Sequence, residues 1–265
     1  MHVVTNYPDG VFNWVDLMSS DVATAKAFYA GLFGWEAEDR PIDDGGFYTM
    51  FNLNGKNVAG MGPLSAEMQV QGIPSHWSSY VKHSDVDGVA ARVAEAGGTV
   101  ILPPMDVMEE GRMAMFMDPT GATVGVWQPK NHIGAQYVNV HNALVWNELQ
   151  TKDVEAAKSF FSAVFGWNYT ADENGYITVS ESGRRHAGMF QMNEQMADVP
   201  PNWSVYFFVE NVEMAVAKVS ELGGNVLMPI TPAGEIGNFS VVQDPAGAVF
   251  TIMEFNGPVD PPPGA

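Results

Sequence analysis

The sequence predicts an α+β fold: two tandem domains, each built from two copies of a strand–helix–three-strand unit. Three observations carry this. The chain repeats itself at a spacing of roughly 130 residues, each half repeats its own helix pattern, and two-residue alternation flanks the helices. The 265 residues suffice for two domains. The offsets place the boundary near residues 129–140, giving domains 1–133 and 134–265, with a Pro-rich tail from about residue 257.

Phe12–Leu17 (FNWVDL) opens the first half, and its counterpart LVWNEL spans residues 144–149. Trp14 and Trp146 stand 132 residues apart, as do Asp16 and Glu148, Asp21 and Asp153, and Gly34 and Gly166. Asp21 is placed to cap a helix whose apolar positions Val22, Ala25, Phe28, Tyr29, Leu32 and Phe33 follow the 3.6-residue period, and Gly34 to close it. Short alternating runs follow, as in FYTMFNLNGKNVAGM. A second strand, WSSYV, precedes a helix capped by Asp85 and closed by Gly97-Gly98. Two more runs then flank the turn Asp118-Pro119-Thr120-Gly121. The second half repeats this order through Asp153, WSVYFFV, Val212–Leu222 and Asp244-Pro245. Its offset shrinks from 132 to 126, as expected if loops shorten while elements stay.

With 12 basic and 31 acidic residues the formal net charge is −19. Such a chain repels phosphate backbones and anionic lipid, so neither nucleic acid nor membrane is an expected partner, and neutral or cationic ligands suit it better. The absence of cysteine excludes disulfides, thiolate metal sites and a cysteine nucleophile. No signal-peptide pattern or spanning run is visible, so a cytoplasmic protein is expected, either monomer or homodimer. None of the six histidines forms an i,i+4 or HxH pair, and no Gly-rich phosphate loop, nucleophile elbow or HExxH helix occurs.

Four such units in register, helices ending in FY…LFGW and DP-x-GA hairpins resemble the vicinal oxygen chelate superfamily of glyoxalases, bleomycin-resistance proteins and dioxygenases. The resemblance is specifically to its two-domain glyoxalase-like "hydroxylase" members. It implies that two βαβββ modules curl into one curved mixed sheet around a cleft, once per domain. It also implies four metal-ligand positions per cleft. These fall here on Trp14, Ser78, Gly125 and the segment Val58–Met61, and on Trp146, Ser204, Thr251 and Ala187–Phe190 in the second half. Indole and glycine cannot ligate a divalent cation, and lone hydroxyls are feeble ligands, so no metal and no cofactor is expected.

Strand alternation from those positions adds Asp16, Tyr80 and Trp127 to the first cleft, and Glu148, Tyr206 and Met253 to the second. The expected protein therefore binds a planar aromatic or cationic small molecule without metal. Trp14, Ser78, Arg112, Trp127, Trp146 and Ser204 would line the sites. The alternative is a cofactor-independent isomerase, lyase or hydroxylase-type enzyme with Asp16 or Glu148 as general base and Tyr80 or Tyr206 as donor. Against these stand packing roles for the tryptophans and an ordinary surface salt bridge for Arg112.

Overall fold

The computed structural model describes residues 2–42 and 45–264. The first module runs β1 (Phe12–Ser19), α1 (Val22–Phe33), β2 (Glu36–Pro41), β3 (Phe47–Leu53) and β4 (Lys56–Pro63). A short helix, α2 (Ala66–Val70), leads to the second module of β5 (His76–Lys82), α3 (Val86–Glu95), β6 (Thr99–Val107), β7 (Gly111–Met117) and β8 (Thr123–Pro129). The third comprises β9 (Leu144–Thr151), α4 (Val154–Phe165), β10 (Asn168–Ala171), β11 (Ile177–Glu181) and β12 (Arg184–Gln191). The fourth comprises β13 (Asn202–Phe208), α5 (Val212–Glu221), β14 (Asn225–Pro232), β15 (Gly237–Gln243) and β16 (Val249–Phe255). Among the described residues no helix is long and apolar enough to cross a membrane.

The predicted caps form. Asp21, Asp85 and Asp153 accept from the backbone N–H of Thr24, Gly88 and Ala156, and Asn211 does the same for Met214 at the start of α5. These bonds satisfy donors that a helix N-terminus otherwise leaves open. Gly34 and Gly166 end α1 and α4 in the left-handed region, at φ 71° and 76°, where a side chain is disfavoured.

Each domain is one eight-stranded mixed sheet, in the order β2-β3-β4-β1-β5-β8-β7-β6 and β10-β11-β12-β9-β13-β16-β15-β14. The first strands of paired modules run antiparallel at the centre, with Asp16 opposite Ser78 and Glu148 opposite Ser204. On their outer sides β4 and β12 pair in parallel, setting Gly60 opposite Asp16 and Gly188 opposite Glu148. The closing strands place Gly125 opposite Tyr80 and Thr251 opposite Tyr206. All four positions named by the resemblance thus meet at the middle of each sheet.

The four long helices α1, α3, α4 and α5 lie between the domains. Phe33 of α1 packs on Phe207 of β13, with centroids 5.2 Å apart, and Phe116 of β7 packs on Phe160 of α4 at 6.0 Å. Two buried clusters result, and each mixes residues of both domains. Exchange is reciprocal at the lead-in segments too. The Trp167 indole N–H donates to the Gly10 carbonyl at 2.7 Å, and Trp35 donates to the Asn142 carbonyl at the same distance.

Candidate functional site

On the sheet face away from the helices, the two domains build the same polar knot. In the first, the Tyr48 and Tyr80 hydroxyls donate to Asp16 Oδ2 at 3.3 and 3.2 Å, and the Trp14 indole donates to the Tyr48 oxygen at 3.1 Å. In the second, Tyr176 donates to Glu148 Oε2 at 2.8 Å, Tyr206 donates to Oε1, and Trp146 donates to the Tyr176 oxygen at 2.9 Å. Asp16 and Glu148 are 8% and 7% exposed. Burial disfavours their charged forms, lifting Asp16 to about 7 and Glu148 above the usual carboxylate range, and the phenol hydrogen bonds only partly offset this. Among the described residues Oδ1 of Asp16 has no partner, which a neutral acid tolerates far better than a carboxylate.

Glycine makes room for these hydroxyls. A Cβ on Gly60 would sit 1.9 Å from the Tyr48 oxygen, and one on Gly188 would sit 1.9 Å from that of Tyr176. A Cβ on Gly125 would meet the Tyr80 ring at 2.2 Å. Aromatic rings and hydroxyls therefore fill the centre where the resemblance placed metal ligands. Among the described residues no group of three His, Asp or Glu side chains stands close enough to hold a cation. The donor set does not fit one either, since the lone carboxyl is bonded to two phenols and its other neighbours are indole and glycine.

What lies above the knot differs between domains. In the first, the interdomain linker folds back: His132 packs edge-on against Trp14 at 4.4 Å and against Trp127 at 5.6 Å, and its carbonyl accepts from the Trp127 indole at 2.8 Å. Desolvation lowers His132 to about 4, so it sits there as a neutral ring. Trp14 is 3% exposed as a result, and Trp127 6%. In the second domain the repeat replaces Trp127 by Met253 and His132 by Pro258. That removes the bracket and leaves Trp146 half-buried. A cavity of about 1120 Å³ opens there. Its walls include Trp146, Glu148, Tyr176, Tyr206, Met253 and Phe255 of the sheet, and Tyr7 and Phe12 from the start of the chain. Arg184 and Arg185, the β14–β15 turn and tail residues Pro258–Asp260 complete it.

Of the expected site residues, Trp146, Glu148 and Tyr206 come together on this cavity, whereas Ser204 is not among its lining residues. Trp14, Asp16, Tyr80 and Trp127 gather around the first knot, with Ser78 opposite Asp16 in the sheet register. Arg112 is separate from both. It makes paired bonds of 2.9 Å to Asp87 and lies 3.5 Å from Asp106, so the salt-bridge alternative describes it and a bond to Asp16 does not form. Sequence reasoning missed Tyr48 and Tyr176. Both stand at the start of a β-hairpin, 128 residues apart, the same spacing that separates Gly60 from Gly188, which was the available signal. Arg184 and His132 were also missed. The Pro-rich tail is anchored: Asp260 accepts two bonds from Arg185, at 3.1 and 2.7 Å, and its carbonyl accepts one from Asn139 at 2.8 Å.

Comparison with known proteins agrees with this fold. The chain is 38% identical over 254 residues to CFP32 of Mycobacterium tuberculosis, which carries a provisional glyoxylase name, covering 94% of this chain and 97% of that one. It is 34% identical over 276 residues to the anthracycline biosynthesis protein DauV of Streptomyces sp. strain C5, covering 95% of each. Among solved structures, the Mn(II)-bound glyoxalase from Novosphingobium aromaticivorans superposes with a TM-score of 0.64 at 18% identity, over 95% of this chain and 84% of that one. The 2,3-dioxygenase LapB from Pseudomonas sp. KL28 gives 0.64 at 17%, over 97% and 96%. These two share the fold. The sequence profile of the Glyoxalase/Bleomycin resistance protein/Dioxygenase superfamily matches residues 11–126 and again 132–252, so the chain belongs to that superfamily, with one copy of its domain in each half.

Proposed function

We propose that the protein binds a planar aromatic small molecule, without metal, in the cleft of its second domain. The observation that carries this is the 1120 Å³ cavity over the Trp146–Tyr176–Glu148–Tyr206 knot, at the position that His132 closes in the first domain. Its size suits a multi-ring compound, and its wall of Trp146, Phe239, Met253 and Phe255 offers flat and adaptable apolar surface with a few polar atoms among it. A relative of similar length is named for the biosynthesis of anthracyclines, which are built on flat fused rings. The cationic half of the expectation has less support, because Glu148 is capped by two tyrosines and holds its proton unusually well.

The test is a titration with 1,4-dihydroxyanthraquinone and other planar aromatics, followed by tryptophan fluorescence. One saturable site per chain is expected, insensitive to chelator, and weakened at least tenfold by Trp146→Ala. No quenching by any planar aromatic, or binding abolished by chelator, would overturn the reading.

A second reading is favoured by one observation: a carboxyl with a raised pKa, bonded to Tyr206, faces the cavity. Such a pair suits proton transfer to or from a bound ligand. If turnover occurs, Glu148→Gln abolishes it while leaving ligand affinity within about threefold, and the pH–rate profile of the unmutated protein shows an ionisation above the usual carboxylate range. Full turnover by Glu148→Gln ends this reading.

A further inference from the structure

We infer that the second-domain cavity selects an acidic ligand, a planar aromatic carrying a carboxylate, and that Arg184 is the residue that holds the anionic group. The inference rests on the cavity being the ligand site.

Arg184 begins β12 and lines the cavity, half-buried. Its side chain forms no hydrogen bond or ion pair with any described residue, and its Nε is buried without a partner. Its neighbour Arg185 is tied by both Asp260 oxygens, at 3.1 and 2.7 Å. The Tyr7 hydroxyl, also on the cavity wall, is spent on the Ala135 carbonyl at 2.6 Å. A guanidinium held partly out of water without a hydrogen-bond acceptor is costly until one arrives, and desolvation weighs against its charged form more than the nearby Asp260 charge supports it. A ligand carboxylate fits its planar fork through two parallel bonds.

The cavity also contains acids, and their commitments decide the sign. Glu148 is bonded to two phenols. Asp172 accepts the backbone N–H of Asn174 and Tyr176 at 2.8 and 2.9 Å, closing the β10–β11 turn. Asp260 spends its hydrogen bonds on Arg185, and its charge reaches Arg184 only through space. Glu173 and Glu235 are exposed at the mouth, where water screens them. The uncommitted charge inside the cavity is therefore positive, in a chain whose overall charge is −19. The arrangement belongs to this domain alone: the 128-residue offset sets Lys56 and Asn57 opposite Arg184 and Arg185.

The experiment compares three matched probes by calorimetry on the full chain: anthracene-2-carboxylate, anthracene-2-carboxamide and 2-(aminomethyl)anthracene, the last a cation at neutral pH. The carboxylate is expected to bind at least tenfold tighter than the amide, with the amine weakest. Arg184→Ala should remove the carboxylate's advantage while leaving amide affinity within about twofold, and Arg184→Lys should restore part of it. Near-ultraviolet circular dichroism of each variant checks the fold. Equal binding of carboxylate and amide, a preference for the amine, or an undiminished carboxylate preference in Arg184→Ala overturns the inference while the aromatic-binding reading stands. Binding by none of the three overturns both.

Discussion

At the scale of single residues, hydrogen bonds hold together the centre of each sheet, at the positions the resemblance assigns to metal ligands. Each domain buries one carboxyl under two phenols and an indole, and each needs a glycine opposite that carboxyl to admit a hydroxyl. The carboxyl and tryptophan were legible because they recur 132 residues apart on an alternating strand. The phenols of Tyr48 and Tyr176 were not, because Tyr48 in β3 and Tyr176 at the threshold of β11 start two strands away from β1 and β9, and only a long side chain spans that gap. The neutral form of Asp16 has a measurable consequence. Folding raises its pKa from 3.8 to about 7, so the folded state keeps a proton that the unfolded chain releases in between. That contribution to stability is complete below about pH 4 and is lost as the pH rises through 7. Asp16→Asn keeps the neutral hydrogen-bonding shape at every pH. Denaturant titrations should therefore show the parent losing stability relative to Asp16→Asn between pH 4 and 8. The swing is on the order of 3–4 kcal/mol, since each pKa unit is worth about 1.4 kcal/mol. Parallel curves would mean that the carboxyl stays ionised.

At the scale of elements, the strands and helices follow the sequence pattern closely, and the connecting segments distinguish the two sites. Caps and alternation are local properties, so Asp21, Asp85 and Asp153 announce their helices. The closing of one cleft by a linker and the lining of the other by a tail are not local. His132 meets Trp14, 118 residues earlier, only after the sheet has curled, and Asp260 meets Arg185 across 75 residues. The tail lines the second-domain cavity and is expected to be separable from the fold. Its ion pair to Arg185 is largely exposed and contributes little to folding, about 0–1 kcal/mol. A chain ending at Gly257 is therefore expected to keep its melting temperature within about 3 °C and to bind the planar probe at least fivefold more weakly. Unchanged affinity would remove the tail from the site.

At the scale of the whole molecule, the two domains form one folding unit. Phe33 rests on Phe207 and Phe116 on Phe160, and each domain's tryptophan grips the segment leading into the other domain's first strand. A buried Ser79–Asn147 hydrogen bond of 2.7 Å joins the two central strand pairs. Residues 1–138 alone would leave the partners of Phe28, Phe33 and Trp35 missing and expose their rings. Such a fragment is expected to lack a near-ultraviolet dichroism signal and to bind a hydrophobic dye, whereas the full chain unfolds in a single transition by fluorescence and by dichroism. Two resolved transitions would indicate autonomous halves. The same covalent unity governs access to the first cleft. His132 is tethered a few residues beyond β8, so it competes for the space over Trp14 as an intramolecular occupant, at an effective concentration of roughly millimolar. Diluting or concentrating the protein leaves that occupancy unchanged. If the second cavity takes an aromatic compound as proposed, that compound meets no tethered competitor there but a resident one in the first, so saturation at one equivalent is the expected outcome of a titration followed by tryptophan fluorescence.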